Sequence, residues 1–252
     1  MGRGEKMKKG LFEIVSNIGI AKSVWKMVLR GDTSDITKPG QFINIELDGF
    51  YLRRPISVCD VNGDEVTIIY KAVGKGTEYM ATLQPGVKLD VLSGLGNGFD
   101  VAACGDAPVL LGGGAGSAPM YLLAKELIKA GKKPSVIIGF NSAEDSYLEE
   151  DFKALGLDDV YTTTVDGTKG IKGFVTNAFE HLAVKPDYHY ICGPEVMMKV
   201  VYDALECDGQ YSFEERMGCG FGACMGCSCE TKYGNKRICR DGPVLVKEEI
   251  IW

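Results

Sequence analysis

Along the first hundred residues, apolar and polar positions alternate in short runs. VWKMVLR, QFINIEL, PISVCD, EVTIIYKA and VKLDVL each read as a strand, and FEIVSNIGIAKSVWKMVLR keeps the alternation with charges interspersed. GDTSDITKPG, VNGDE and QPG break the runs as turns. Closely spaced strands of this kind predict a small antiparallel barrel over residues 1–103.

The pattern changes near residue 107. APVLLGGGAGSAPMYLLAKELIKAGKK reads strand, glycine turn, helix; PSVIIGF is a buried strand and YLEEDFKALG a second helix. DVYTTTVD, VTNAFEHLA, YHYICGP and VMMKVVYDALE continue as strand, helix, strand, helix. This alternation predicts a parallel sheet with helices on both faces over residues 104–210. Residues 211–252 form a third region, which ends in GPVLVKEEIIW. The expected fold is therefore multidomain, a β-barrel followed by an α/β nucleotide-binding domain and a C-terminal cysteine-rich region. There are no internal repeats.

Composition narrows the partners. A net charge of −6 argues against a nucleic-acid binder, which usually carries a basic patch. The basic start, MGRGEKMKKG, is not followed by an apolar run of signal-peptide length. No segment reaches the roughly 18 apolar residues of a membrane helix. The expectation is a cytoplasmic protein with no membrane partner.

Of the nine cysteines, Cys59, Cys104, Cys192 and Cys207 are scattered, as buried small hydrophobes are. Five cluster in CGFGACMGCSC and just beyond it. The spacing Cys219-x4-Cys224-x2-Cys227, with Cys239 after eleven intervening residues, is that of plant-type [2Fe–2S] sites. Gly218, Gly220, Gly222 and Gly226 let such a loop wrap a cluster. A zinc centre normally shows two C-x2-C knuckles, and only one is present; zinc and disulfides stay open as alternatives. Cys229 is a spare thiol beside the third ligand.

Three further motifs are weak alone. Arg54-Pro55-Ile56-Ser57 on an extended chain can hold a diphosphate through the arginine and a flavin edge through Ser57; the plainer alternative is a surface arginine before an edge proline. Lys71 and Gly74-Lys75-Gly76-Thr77, ahead of EYMATLQ, would add phosphate contacts at a helix start. Gly112-Gly113-Gly114-Ala115-Gly116-Ser117 joins a strand to a helix and suits a nucleotide phosphate, or simply a tight turn. The acid expected at the end of the next strand is missing, since SVIIGF runs into Asn141. Glu144 and Asp145 follow and would repel a 2′-phosphate, which leans toward NADH. Cys192-Gly193-Pro194 ends a strand where α/β proteins bind ligands. There Cys192 either meets a nicotinamide or is a buried thiol. His181 and His189 read as structural, and no acid–base set is visible, which fits a chain whose cofactors do the chemistry.

The order RPIS, GKGT, LLGGGAGSAP and CGP resembles the ferredoxin–NADP reductase superfamily. CGFGACMGCSC with its trailing Arg240-Asp241-Gly242-Pro243-Val244 resembles one branch, the electron-transfer subunits of NAD-dependent (class 1B) dihydroorotate dehydrogenase. The resemblance spans nearly the whole chain. It implies a barrel that binds FAD through Arg54, Pro55, Ile56, Ser57, Ile69, Tyr70, Lys71, Gly76 and Thr77. It also implies a middle domain that binds NAD(H) and a [2Fe–2S] cluster on Cys219, Cys224, Cys227 and Cys239. For the nucleotide the expected contacts are Gly113, Gly114, Gly116 and Cys192. The implied partner is an FMN-containing dihydroorotate dehydrogenase catalytic subunit, two copies of each chain together, oxidising dihydroorotate to orotate in pyrimidine synthesis. One rival is the same cofactor set serving a sulfide dehydrogenase or an NADH-dependent ferredoxin:NADP oxidoreductase. A second is a zinc-stabilised interaction module.

Overall fold

The computed structural model describes residues 7–252; the first part of the basic N-terminal stretch lies outside them. Strands β1 (Lys8–Ala21), β2 (Val24–Arg30), β3 (Phe42–Ile45), β4 (Arg54–Asn62), β5 (Glu65–Lys71) and β6 (Lys88–Leu95) close a barrel in the order β1-β2-β5-β4-β3-β6. Every pairing is antiparallel. Alternation sends Ile14, Met27, Leu29, Ile43, Ile45, Val58, Val66, Ile68 and Val91 into one core. Helix α1 (Lys75–Thr82) plugs the barrel with the buried Met80.

The second sheet holds β7 (Pro108–Gly113), β8 (Ser135–Phe140), β9 (Val160–Thr164), β10 (Ile171–Lys172), β11 (Tyr188–Cys192), β12 (Gly209–Ser212) and β15 (Val244–Val246), ordered β10-β9-β8-β7-β11-β12-β15. A small hairpin, β13 (Ser228–Thr231) and β14 (Gly234–Arg237), precedes β15. All sheet pairings are parallel except that of β15. Leu110, Val136, Ile138 and Tyr190 face one core with α2 (Ser117–Lys129) and α3 (Glu149–Ala154). Val109, Leu111, Ile137 and Ile191 face a second core with α4 (Glu195–Ala204). Runs buried on both faces are what made these strands read as continuously apolar. From β7 the chain proceeds outward to β8, then returns to place β11 on the other side of β7. The crevice at this topological switch point is where open α/β sheets take ligands.

Two expectations change. The helix expected over VTNAFEHLA is a 3₁₀ segment, Val175–His181. Val175, Thr176 and Asn177 are poor helix formers, and Asn177 Oδ1 instead accepts the Phe174 amide at 2.8 Å. The expected boundary at 210/211 falls inside β12 (Gly209–Ser212), and β15 from the cysteine-rich region completes the nucleotide sheet. Among the described residues no helix is long and apolar enough to cross a membrane.

Candidate functional site

The cysteine loop forms two thiol pairs. Cys219 Sγ accepts from the amides of Ala223 at 3.2 Å and Cys224 at 3.4 Å, and Cys224 Sγ accepts from the Cys219 amide at 3.4 Å. Cys227 Sγ accepts from the Cys239 amide at 3.4 Å, and both residues are buried. Burial opposes a thiolate at Cys219, yet the amides of Phe221, Cys224 and Ala223 outweigh it and hold the thiol down to about 6. Burial and the adjoining Cys227 push Cys239 up, to about 12. Among the described residues, no three acidic, histidine or cysteine side chains converge as one metal ion would need. Two pairs with backbone N–H groups aimed at sulfur fit a two-iron cluster better than a zinc ion. Cys229 turns aside to the wall of a separate cavity of about 310 Å³.

Glycines make the loop possible. Gly220 has φ +79°, and a Cβ there would lie 2.3 Å from Asn44 Nδ2; Gly222 has φ +89° and packs on Arg240. Arg237 donates to Gly222 O at 2.9 Å and pairs with Asp241 at 3.0 Å. Asn97, just past the barrel, donates to Val244 O at 2.7 Å and accepts the Val244 amide at 3.0 Å. It thereby fastens the Arg240–Val244 motif to the barrel exit. Asn44 Nδ2 donates to Cys219 O at 3.3 Å, and Asn44 pairs with Pro55 across β3 and β4. Cys219 is therefore tied to the strand that pairs with the Arg54–Ser57 motif.

On the barrel, Arg53 is consumed by ion pairs with Glu46 and Asp90. Arg54 pairs with no carboxylate among the described residues. Its guanidinium lies over the Phe50 ring at 5.1 Å and against Gly76, where a Cβ would come within 2.1 Å of Nε. Nη1 donates to Leu52 O; a guanidinium with no carboxylate partner, laid over the first turn of α1, suits a diphosphate. Pro55, Ile56 and Ser57 are half-buried on the same strand. Thr77 Oγ1 is engaged in closing α1, accepting from Val73 N at 3.1 Å. Tyr70 is buried and donates to Asn17 Oδ1 at 2.9 Å; Ile69 is buried against the nucleotide domain. Ile69 does not line the cleft and would meet a flavin through its backbone.

A cleft of about 560 Å³ opens between barrel and sheet. Its walls include Val24, Tyr70 and Lys71 from the barrel, Gly113, Gly114 and Gly116 after β7, and Gly193 and Pro194 after β11. Gly116 is required there, since a Cβ would sit 2.2 Å from Cys192 O. Tyr147 donates to Gly114 O at 2.7 Å and holds the glycine turn. Cys192 itself is buried beneath the wall rather than on it, and burial pushes its thiol up to about 12. Asp145 lines the cleft 3.6 Å from Lys71, while Glu144 is turned out to Lys22 at 3.1 Å. Of the two acids expected to exclude a 2′-phosphate, only Asp145 faces the cleft. Glu214 also lines it, and burial raises its carboxyl.

The sequence reading missed Asn44, Asn97, Tyr147, Thr163 and Glu214. None carries a motif; Asn44, Asn97 and Tyr147 act through partners far away in the chain, and Thr163 and Glu214 through their place on the cleft wall. His189 is buried and structural as expected, bonded to Tyr211 at 2.7 Å and held neutral by burial.

Comparison with known proteins agrees with this geometry. Residues 214–251 match the iron–sulfur cluster binding domain of dihydroorotate dehydrogenase B, and residues 110–203 match the oxidoreductase NAD-binding domain. The chain is 43% identical to the dihydroorotate dehydrogenase B (NAD(+)) electron transfer subunit of Bacillus pumilus, over 97% of this chain and 98% of that one. It is 41% identical to the subunit of the same name from Fusobacterium nucleatum, over 94% and 96%. The structure of an NADH-dependent reduced ferredoxin–NADP oxidoreductase superposes with a TM-score of 0.86 at 30% identity, over 96% of this chain and 90% of that one. The chain thus belongs to the family of dihydroorotate dehydrogenase B (NAD(+)) electron transfer subunits.

Proposed function

We propose that this chain passes electrons between NAD(H), FAD and a [2Fe–2S] cluster and the FMN of a dihydroorotate dehydrogenase catalytic subunit, serving dihydroorotate oxidation in pyrimidine synthesis. The observation that carries the reading is the Asn44–Cys219 bond, which joins the cluster loop to the strand paired with Arg54–Ser57. When bound, FAD exchanges electron pairs with the nicotinamide, and the cluster exchanges single electrons.

The chain's own residues hold and separate these groups. In this reading Arg54, Gly76 and Thr77 hold the flavin diphosphate; Pro55, Ile56, Ser57, Ile69, Tyr70 and Lys71 border the rest of the flavin. Gly113, Gly114 and Gly116 let the dinucleotide approach the backbone, with Cys192 supporting the turn from beneath. Cys219, Cys224, Cys227 and Cys239 would hold the cluster. The division is 1–103 for FAD, 104–210 for NAD and 211–252 for the cluster, with β15 lent to the nucleotide sheet. The partner is an FMN-containing catalytic subunit in a two-plus-two assembly in the cytoplasm.

The test is reconstitution under anaerobic conditions. The chain mixed with such a catalytic subunit should give NAD-dependent dihydroorotate oxidation that neither chain gives alone. Ferredoxin-linked reduction of NADP in its place, with a different co-purifying subunit, would assign the chain to the oxidoreductase whose fold it shares.

A further inference from the structure

Strand β9 runs Thr162-Thr163-Thr164, with successive side chains on opposite faces. The outer two are satisfied within the protein: Thr162 Oγ1 donates to Glu149 Oε2 at 2.8 Å and Thr164 Oγ1 to Lys169 O at 2.7 Å. Thr163 is 0% exposed to solvent, contributes to the cleft wall, and its Oγ1 has no hydrogen-bond partner. An unpaired buried hydroxyl costs folding free energy. Opposite it Gly139 carries no side chain. A Cβ there would lie 3.2 Å from Thr163 Oγ1 and 2.8 Å from Val175 Cγ1. Ser117 Oγ is also unpaired, but it lies beneath the glycine turn and off the cleft wall.

The chemistry of the slot selects its guest. Gly139, Phe140, Val165 and Val175 share this part of the wall with Thr163. Lys71 is the one cation on the cleft wall among the described residues, and it is paired with Asp145. A hydroxyl among apolar groups, with no free cation beside it, favours a neutral hydrogen-bonding group over a phosphate.

We propose that Thr163 is a positioning residue for the nicotinamide dinucleotide, its hydroxyl hydrogen-bonding a neutral polar group of the ligand, a ribose hydroxyl or the carboxamide. The assignment rests on the NAD(H) reading above. The test is calorimetric titration of the full chain, loaded with its flavin and cluster, with NAD⁺. Thr163→Val, which keeps the shape and removes the hydroxyl, should weaken binding roughly 3- to 10-fold, and Thr163→Ser by no more than about twofold. The melting temperature of the Thr163→Val protein without NAD⁺ should be unchanged or higher, because an unpaired hydroxyl is removed. Separate titrations with AMP and nicotinamide mononucleotide, the two halves of the dinucleotide, locate the bonded group, since only the half that carries it should show the loss. Unchanged affinity in Thr163→Val, or equal losses in both variants, would overturn the proposal. A wild-type chain that does not bind NAD⁺ overturns the underlying reading instead, and the proposal with it.

Discussion

Cys219, Cys224 and Cys227 sit within nine consecutive residues, whereas the cleft wall draws on residues as far apart as Val24 and Glu214. In the cysteine loop the chemistry is carried by side chains whose spacing already sets the ligand order, and by glycines that let backbone amides turn toward sulfur. In the cleft the chemistry is carried by absence: missing Cβ atoms at Gly116 and Gly139, a paired lysine, and one unpaired hydroxyl. A local motif tolerates little change at a ligand and much around it. A surface assembled from distant segments depends on everything that holds those segments in register.

The largest effect expected follows from that contrast. Cys224→Ser should abolish cluster absorbance and electron delivery to the partner, while FAD content and NADH-dependent dye reduction persist. Visible spectra and dye reduction check this, and equal loss of flavin and cluster would mean the two sites are not separable as argued. Next, Arg54→Ala should weaken FAD retention by roughly 10- to 100-fold, the scale of a charge-assisted contact to phosphate. Flavin occupancy after dialysis measures it, and full occupancy would make Arg54 a surface residue.

Asn97→Ala tests whether the cysteine loop needs the barrel. Removing both bonds to Val244 should cost roughly 2–3 kcal/mol in urea unfolding. A cluster lost at lower denaturant than the flavin would show that this contact anchors the tail.

The smallest effect concerns the cleft's support. Glu149 binds Thr162, Lys153 and Lys169 behind β9. Burial would raise its carboxyl, but the bonds to Lys153, Lys169 and Thr162 prevail and lower it to about 2. Its contribution is therefore complete above its ordinary value and lost as pH falls from about 4.5 toward 2. Wild type should exceed Glu149→Gln by about 1–3 kcal/mol at neutral pH, discounted for partial exposure. That gap should close across the acid range. A gap independent of pH would mean the glutamate acts by packing alone.

Much of this was legible in the chain. The barrel strands and the parallel strands were readable because burial on one face or both leaves a period of its own in the sequence. The thiol pattern was readable because Cys219, Cys224 and Cys227 sit in one short loop. VTNAFEHLA misled because its apolar spacing is helical while Val175, Thr176 and Asn177 resist a full helix. Glu144 and Asp145 looked equivalent in sequence, and only packing against the barrel sent one out to Lys22 and the other to the cleft.

By itself, then, the sequence determined the order of elements, the glycine turns and the thiol pattern, all of which depend on neighbours a few residues away. Tertiary structure alone decided that Asn44 holds Cys219, that Arg53 is spent on carboxylates while Arg54 has none, and that Cys192 lies under the cleft. It also decided which hydroxyl of three adjacent threonines is left without a partner. Those outcomes turn on which groups meet across the fold, and the free energy of a hydrogen bond or an ion pair is settled by the partner it finds.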